Sequence, residues 1–153
     1  MPDEHKLSKY AAIFQDLTAA DIMVANVAAL PADKKVAHAK EMMKIKRISG
    51  LPVVDEKRRV IGIISIEDII NALEFNRMNE PLRKFMSPEV VTVRTDAPLA
   101  ELVAKFENYR FGRFPVVDRE GVLRGIVTKE DILHGILEKF SLIYVHDRKR
   151  NLT

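Results

Sequence analysis

Two segments of the chain carry residue types from which a ligand site could be built. They are Gly62-Ile-Ile-Ser65-Ile-Glu-Asp68 and Gly125-Ile-Val-Thr128-Lys-Glu-Asp131. In each, an apolar strand is expected to run directly into a helix, with a hydroxyl at the N-cap and an aspartate three residues later. A helix N-terminus presents free N–H groups and a partial positive charge, which suits an anion. The aspartate is a good acceptor for a vicinal diol, so the set suits a ribonucleotide.

The same pattern also has a purely structural interpretation. Ser/Thr-x-x-Asp before an apolar run is a variant of the capping box, which stabilises a helix start by about 1 kcal/mol. Its recurrence at the same place in both halves of the chain favours a role beyond capping, because an incidental cap need not recur.

The two segments belong to an internal repeat. When the first half is shifted by 63 residues, the halves align without a gap, so that Pro52-Val-Val-Asp55 falls on Pro115-Val-Val-Asp118. A match of this length indicates two copies of one supersecondary unit, at about residues 22–76 and 85–140. Each copy predicts the order strand, helix, strand, strand, helix, and therefore a mixed α/β fold.

The predicted elements follow from local patterns. Opening strands are expected at Val27–Leu30 and Val90–Val93, followed by Asp33 and Asp96 as N-caps, with Pro98 in the first turn of its helix. Apolar residues at helical spacing then predict the buried faces of the first helices: Val36, Ala39, Met43 and Leu99, Leu102, Val103, Phe106. Hairpins and closing helices complete each copy, the helices spanning Ile66 to about Phe75 and Lys129 to about Phe140.

The sequence divides into four parts. Residues 1–20 form a predicted helical extension, 21–80 the first repeat, 81–140 the second, and 141–153 a basic C-terminal tail. The extension has an amphipathic helical pattern, formed by Leu7, Tyr10, Ala11, Phe14 and Leu17.

Composition excludes several classes of protein. The 153 residues are 47% hydrophobic, which allows a buried core, and the chain has no cysteine for disulfides or thiolate metal sites. No apolar run approaches the ~18 residues of a membrane span, which predicts a cytoplasmic protein without a membrane partner. Four scattered histidines predict no metal site. We find no motif of a catalytic residue set and expect no enzyme. A net charge of +3 is too small to argue for nucleic acid on its own.

The ordered, duplicated set of motifs resembles the CBS domain family, over about residues 20–140. This resemblance implies two repeats packed with pseudo-twofold symmetry as a Bateman module, with ligand clefts between them. It also implies a non-catalytic regulatory module whose ligands are AMP, ADP, ATP, S-adenosylmethionine or a related adenosyl compound, with no obligatory cofactor. Members of the family usually dimerise, so we expect a homodimer and a regulated partner protein or domain.

The resemblance also implies roles for individual residues. Asp68 and Asp131 would bind the ribose hydroxyls, and Ser65 and Thr128 a ribose or phosphate oxygen. The adenine would lie against two apolar pairs, Leu51 with Pro52 and Phe114 with Pro115. The position before each pair often carries the charge that binds phosphate, and it holds Gly50 in the first repeat and Arg113 in the second, where Lys129 is also near. We therefore expect the stronger site on the second repeat.

Alternatives remain open at this stage. The threonine that is frequent in the family's opening strand is absent from the segment Val24-Ala-Asn-Val-Ala28, which weakens the first-repeat site. Arg47 and Arg110 end the first helices, where each would either stabilise the helix C-terminus or contact a phosphate. The chain could also be a ligand-free dimerisation module, or a nucleic-acid-associated regulator that uses its basic tail.

Overall fold

The sequence repeat is also a structural repeat. A computed structural model of the protein describes Ala12 and residues 15–151, with side chains described up to Ser141. The first repeat contains β1 (Leu30–Pro31), α2 (Val36–Lys46), β2 (Gly50–Val54), β3 (Val60–Ser65) and α3 (Ile66–Glu74). The second contains β4 (Val93–Arg94), α4 (Leu99–Asn108), β5 (Arg113–Val117), β6 (Leu123–Thr128) and α5 (Lys129–Asn151). A short helix α1 (Ala19–Ile22) precedes the first repeat, and a 3-10 turn (Leu82–Lys84) lies between the two. The predicted mixed α/β fold and its element order are confirmed.

Each repeat contributes one three-stranded sheet, in the orders β1-β2-β3 and β4-β5-β6. In the first sheet, β1 is parallel to β2 and β2 is antiparallel to β3. The middle strand has four consecutive buried residues, Leu51 to Val54, because a sheet covered on both faces hides both sides of the strand.

The chain divides into two compact units whose limits differ from those of the repeats. One unit contains the chain up to Ala25, Val93–Val116 and the chain from Gly125 onward, and the other contains Asn26–Thr92 and Val117–Arg124. In the first unit, the apolar faces of α4 and β5 are buried with Leu17 and Ala19. In the other, α2, β2 and β3 pack around a cluster that includes Leu82 and Phe85.

The segments that lead into each repeat explain this division. Val24 forms a two-bond antiparallel bridge with Ile126 of β6, with N···O distances of 2.9 and 3.0 Å. Sixty-three residues further along, Ser87 forms the equivalent bridge with Ile63 of β3, at 3.0 and 2.9 Å. The segment before each repeat therefore extends the sheet formed by the other repeat.

These segments also provide carbonyl oxygens that accept hydrogen bonds from the first N–H group of α2 and of α4. The N–H of Val36 donates to the carbonyl oxygen of Glu80 at 3.0 Å, and that of Leu99 to the carbonyl oxygen of Leu17 at 2.8 Å. The prediction of Asp33 and Asp96 as N-caps is therefore wrong. The N-caps are Lys35 and Pro98, one step before each helix, because backbone carbonyls from the neighbouring segments take the place of a capping side chain.

The opening strands and the last helix also differ from prediction. β1 and β4 begin at Leu30 and Val93, the last residues of the predicted strands, and β1 pairs with β2 only at Leu30 and Pro31. α5 continues to Asn151 rather than ending near Phe140, because the sequence after Gly135 has no glycine or proline to stop it.

The predicted buried helix faces are confirmed except at Val103, which is only partly buried. Val36, Ala39 and Leu99 are fully buried, and Met43 and Phe106 nearly so. Leu17, the last position of the predicted N-terminal helix, is also buried, whereas Leu7, Tyr10, Ala11 and Phe14 lie outside the described residues.

A substitution at Gly125 tests the close approach of the opening segment. A Cβ at this position would lie 2.6 Å from Met23 Sδ and 2.7 Å from the carbonyl oxygen of Val24. We expect Gly125→Ala to lower the free energy of unfolding by about 1–3 kcal/mol, because the strand bridge must shift. Gly112→Ala is the matched control, since a Cβ there meets open space. Urea denaturation would measure both, and equal stabilities of the two variants would contradict the prediction.

Acid stability should depend on Glu80. The hydrogen bond from Arg77, and then that from Lys84, lower the pKa of Glu80 from 4.5 to about 2. Because this pKa is lower in the folded protein, the contribution to stability is complete above about pH 4.5 and is lost as the pH falls towards 2. In thermal unfolding between neutral pH and pH 2, Glu80→Gln should lose less stability on acidification than the wild type. Glu41→Gln, an exposed change on α2, should keep the wild-type slope.

Candidate functional site

The first candidate motif forms a complete capping box at the start of α3. Ser65 N and Oγ donate to Asp68 Oδ2 at 2.8 and 2.9 Å, and the N–H of Asp68 donates back to Ser65 Oγ at 3.3 Å. Both residues are partly buried. The structural interpretation of this motif is therefore confirmed for Ser65 and Asp68.

The second motif has the same geometry at the start of α5. Thr128 N donates to Asp131 Oδ2 at 2.8 Å, and Asp131 N donates to Thr128 Oγ1 at 3.2 Å. The box commits one carboxylate oxygen of Asp131, whereas Oδ1 lies outside it. Capping and ligand binding are thus compatible, because the box fixes the carboxylate and leaves its second oxygen for another donor.

A third capping box shows that the Ser/Thr-x-x-Asp motif does not by itself indicate a ligand site. Thr18 N and Oγ1 donate to Asp21 Oδ2 at 2.8 and 3.0 Å, at the start of the four-residue helix α1. The sequence Thr18-Ala-Ala-Asp21 has the same spacing, and our sequence analysis did not single it out. Ser/Thr-x-x-Asp is therefore a capping signal first, and a site needs further groups beside it.

β3 and β6 lead directly into the two capping boxes, and their neighbouring strands β2 and β5 place further residues beside these boxes. In the first sheet Gly50 pairs with Ser65, so the first residue of β2 lies beside the hydroxyl that caps α3. In the second sheet Arg113 is the first residue of β5 and Thr128 the last residue of the adjacent β6. The positions expected to carry the phosphate-binding charge are therefore on the strands next to the motifs.

The apolar residues after these positions belong to the core. Leu51 and Phe114 are each 1% exposed, and Pro52 and Pro115 are buried. Phe114 packs against Phe106 with the ring centroids 4.7 Å apart. Their contribution to an adenine slot stays a prediction.

A pocket opens beside the second motif, within the unit that contains α4 and α5. Its volume is about 350 Å³, and its lining comes from the end of α4, the following loop and the first residues of α5: Phe106, Glu107, Tyr109, Arg110, Phe111, Gly112, Lys129 and Glu130. Sequence reasoning named Lys129 as a site residue and left Arg110 between a structural and a functional role. It missed Glu107 and Glu130, because an exposed glutamate on a helix gives no signal until its neighbours are known.

Aromatic rings form one side of this region. Tyr109 and Phe111 stack nearly parallel, with the ring centroids 5.8 Å apart, and are 41% and 51% exposed. The buried ring of Phe114 meets both of them nearly edge-on, at 6.2 and 6.0 Å. The pocket therefore combines accessible aromatic surface with the cationic side chains of Arg110 and Lys129.

The first repeat differs at the corresponding positions. Ile66, which is 44% exposed, occupies the position of Lys129, and Gly50 occupies that of Arg113. The N–H of Ile66 already donates to the carbonyl oxygen of Ser49 at 3.2 Å. Arg47 is the C-cap of α2 in a left-handed conformation (φ 54°), whereas Arg110 lines the pocket. Cationic side chains thus accompany the second motif more closely than the first.

Two further properties concern the described part of the chain, namely metal ligation and the length of its apolar helices. Among the side chains described between residues 15 and 141, no group of three or more His, Cys, Asp or Glu is placed to hold a metal ion. Over the same residues, no helix combines the length and the apolar character needed to cross a bilayer.

Comparison with known proteins decides the family. The model of the CBS domain matches residues 19–75 and 82–138, one match for each repeat. The chain belongs to the CBS domain family. The resemblance inferred from the duplicated motifs is thereby confirmed.

Three relatives illustrate where such CBS pairs occur. Inosine-5'-monophosphate dehydrogenase of Aquifex aeolicus is 33% identical over 112 residues, which are 72% of this chain and 23% of the dehydrogenase. This CBS pair thus spans about a quarter of that enzyme's length. The solved structure of CBSX2 in complex with AMP has a TM-score of 0.70 and 28% identity, covering 79% of this chain and 96% of that one. The CBS domain pair of protein MJ0100, in complex with 5'-methylthioadenosine and S-adenosyl-L-methionine, has a TM-score of 0.68 and 29% identity, covering 80% and 98%.

Proposed function

We propose that this CBS pair is a non-catalytic, cytoplasmic regulatory module that binds an adenine nucleotide or a related adenosyl ligand at the motif of the second repeat. The observation that carries the proposal is the pocket of about 350 Å³ that shares the first turn of α5 with Asp131. Its volume lies within the range of small-molecule sites, about 300–1,000 Å³. AMP, ADP, ATP and S-adenosylmethionine are the candidate ligands, and no obligatory cofactor is required.

Each residue of the second motif has a chemical role in this proposal. Asp131 Oδ1 accepts hydrogen bonds from the ribose diol, while Oδ2 stays in the capping box that orients the carboxylate. Thr128 Oγ1 contacts a ribose or phosphate oxygen. Arg113 and Lys129 supply positive charge for the phosphate, and Phe114 with Pro115 supports the adenine from the core.

The solved relatives support a ligand of this class. One CBS pair is described with AMP, and another with 5'-methylthioadenosine and S-adenosyl-L-methionine, so both relatives bind adenosyl compounds. We propose a weaker site in the first repeat, formed by Gly50, Leu51, Pro52, Ser65 and Asp68, because Ile66 and Gly50 replace the cations there.

A second function is favoured by one observation. The capping boxes are satisfied by protein atoms alone, and Asp21 likewise accepts a bond from the N–H of Thr18 on a helix of only four residues. If all three boxes serve capping alone, the chain is an interaction module without a ligand. The binding experiment below separates this function from ligand sensing.

Nucleotide binding should depend on Asp131. Isothermal titration with AMP, ADP, ATP and S-adenosylmethionine should detect one ligand at micromolar affinity, about −8 kcal/mol. Asp131→Ala should weaken it by about tenfold or more, because the ribose loses a charged acceptor. It should also cost about 1 kcal/mol of stability from the lost cap.

Two control variants separate binding from capping. Asp21→Ala removes the capping box of α1 and should leave nucleotide affinity unchanged. Asp68→Ala removes the box of α3 and should affect only the weaker site. Heats at the level of ligand dilution for all four compounds would reject ligand sensing and favour the ligand-free module.

We further propose a homodimer that covers the exposed apolar faces of α3 and α5. Ile70 of α3 and Leu133 of α5 occupy the same repeat position and are 56% and 54% exposed. Leu73 and Leu137, one turn further along their helices, are 53% and 52% exposed. Apolar side chains grouped in this way mark an interaction surface, and their presence in both repeats suits a symmetric, self-complementary one.

Charge placed on these faces should break the dimer. Ile70→Glu and Leu133→Glu should each shift the sedimentation equilibrium towards monomer, because a buried unpaired carboxylate is costly at an interface. Ile45→Glu is the matched control, since Ile45 is the most exposed large apolar residue described, at 77%, and lies on α2. A wild-type protein that sediments as a monomer at micromolar concentration would contradict the proposal.

A further inference from the structure

Two methionine side chains occupy equivalent places in the two repeats. Met23 and Met86 are separated by the 63-residue offset, and each lies against the glycine of the strand that its segment extends. A Cβ at Gly125 would lie 2.6 Å from Met23 Sδ, and a Cβ at Gly62 would lie 2.6 Å from Met86 Sδ. Each sulfur therefore fills the space beside a sheet glycine, at the point where a bridge to that sheet is made.

These two thioethers can be reached by a small oxidant. Both side chains are partly exposed, whereas Met43 is buried in the core. The chain has six methionines and no cysteine, so its thioethers are the only sulfur atoms available for oxidation. A peroxide converts a thioether to a sulfoxide. An S–O bond forms, the O–O bond of the peroxide breaks, the sulfur loses two electrons and the peroxide is reduced to water or an alcohol.

A sulfoxide does not suit the place that each sulfur occupies. A Cβ at Gly125 would also lie 2.7 Å from the carbonyl oxygen of Val24, and one at Gly62 would lie 3.0 Å from that of Ser87. These carbonyl oxygens and the sulfoxide oxygen are all hydrogen-bond acceptors, so they cannot satisfy one another. A polar group without a partner is costly away from water, and the oxidised side chain therefore turns towards solvent. The contact over the glycine is then lost.

The bridges have few other interactions to hold them. Val24 and Ile126 exchange two hydrogen bonds, and so do Ser87 and Ile63. Each of these bridges is isolated and does not continue as a strand. Because methionine packing accompanies both bridges, its loss should allow the segments to open locally without unfolding the sheets.

We propose that Met23 and Met86 form a paired oxidation site, at which a peroxide opens the two bridges between the leading segments and the sheets. The same residue types make both contacts, so both bridges respond. Methionine sulfoxide reductases return the sulfoxide to the thioether, which makes the change reversible. This site is independent of the proposed nucleotide binding and requires no ligand.

Amide hydrogen exchange of the full chain, measured by NMR before and after treatment with hydrogen peroxide, tests the proposal. Peptide mass spectrometry should find sulfoxide at Met23 and Met86 in the folded protein. The amide hydrogens of Ile126 and Ile63, which donate across the bridges, should then exchange about tenfold faster. The amide hydrogen of Asp55, which donates within the hairpin of β2 and β3, should exchange at its original rate.

Leucine variants show whether the sulfur atoms are responsible. The double variant Met23→Leu, Met86→Leu keeps apolar side chains of similar volume and should fold, and peroxide should leave its bridge amides unchanged. The double variant Met42→Leu, Met78→Leu is the matched control, because it removes two other partly exposed thioethers. It should respond to peroxide as the wild type does. Each variant is compared with its own untreated exchange rates, so a small cost of substitution does not affect the result.

Three results would each overturn the proposal. Met23 and Met86 could stay unoxidised in the folded protein at a peroxide concentration that oxidises Met42 and Met78. They could be oxidised while the bridge amides exchange as slowly as before. The control variant could protect the bridge amides as well as the Met23→Leu, Met86→Leu variant does. Recovery of slow exchange after treatment with a methionine sulfoxide reductase would support the reversible site, and its absence would rule out reversibility.

Discussion

A methionine thioether and a backbone carbonyl lie directly over a sheet glycine at two places in this chain. Met23 and Val24 approach Gly125, and Met86 with Ser87 approaches Gly62 in the same way. This contact is possible only where the strand has no Cβ. The bridges that extend both sheets depend on it, and the carbonyls that accept the first N–H groups of α2 and α4 come from residues shortly before these bridges in the chain. Much of the fold therefore rests on two positions where the side chain is a hydrogen atom.

The four main helices begin in two different ways, and the difference determines which of them present an oriented carboxylate. α2 and α4 receive backbone carbonyls at their first N–H groups, whereas α3 and α5 use a hydroxyl and a carboxylate from their own sequence. A carboxylate held at one oxygen by the N–H of the cap residue has fewer rotamers left, so its other oxygen is oriented before any ligand arrives. Such pre-organisation lowers the conformational cost of binding. The second repeat places this oriented group on the turn of helix that also lines a pocket, and the exchange of Ile66 for Lys129 gives that repeat its charge.

The sequence could predict features that depend on local, periodic patterns, but not those that depend on contacts between distant segments. The 63-residue offset and the spacing of Val36, Ala39 and Met43 record burial, which is local and periodic, so the element order and the core faces of α2 and α4 were predictable. The N-caps were not, because the groups that satisfy Val36 and Leu99 are carbonyls from distant segments, and every residue has a carbonyl. For the candidate site, the capping pairs were predictable from spacing. The pocket was not, since Glu107 and Glu130 meet only when α4 and α5 are folded.

The placement of residues 17–24 also bears on the order in which the protein can fold. These residues bond to Ala97, Leu99 and Ile126, which the ribosome adds much later. The unit that holds them must therefore wait for most of the chain, and contacts so far apart in sequence close slowly. The other unit waits as well, since the N–H of Leu123 donates to the carbonyl oxygen of Arg58. A ribosome that stalls between the two repeats would hold a half with an open sheet edge. A cut there would leave each three-stranded sheet within one half, but it would separate Val24 from Ile126, so the extension of that sheet needs both halves together.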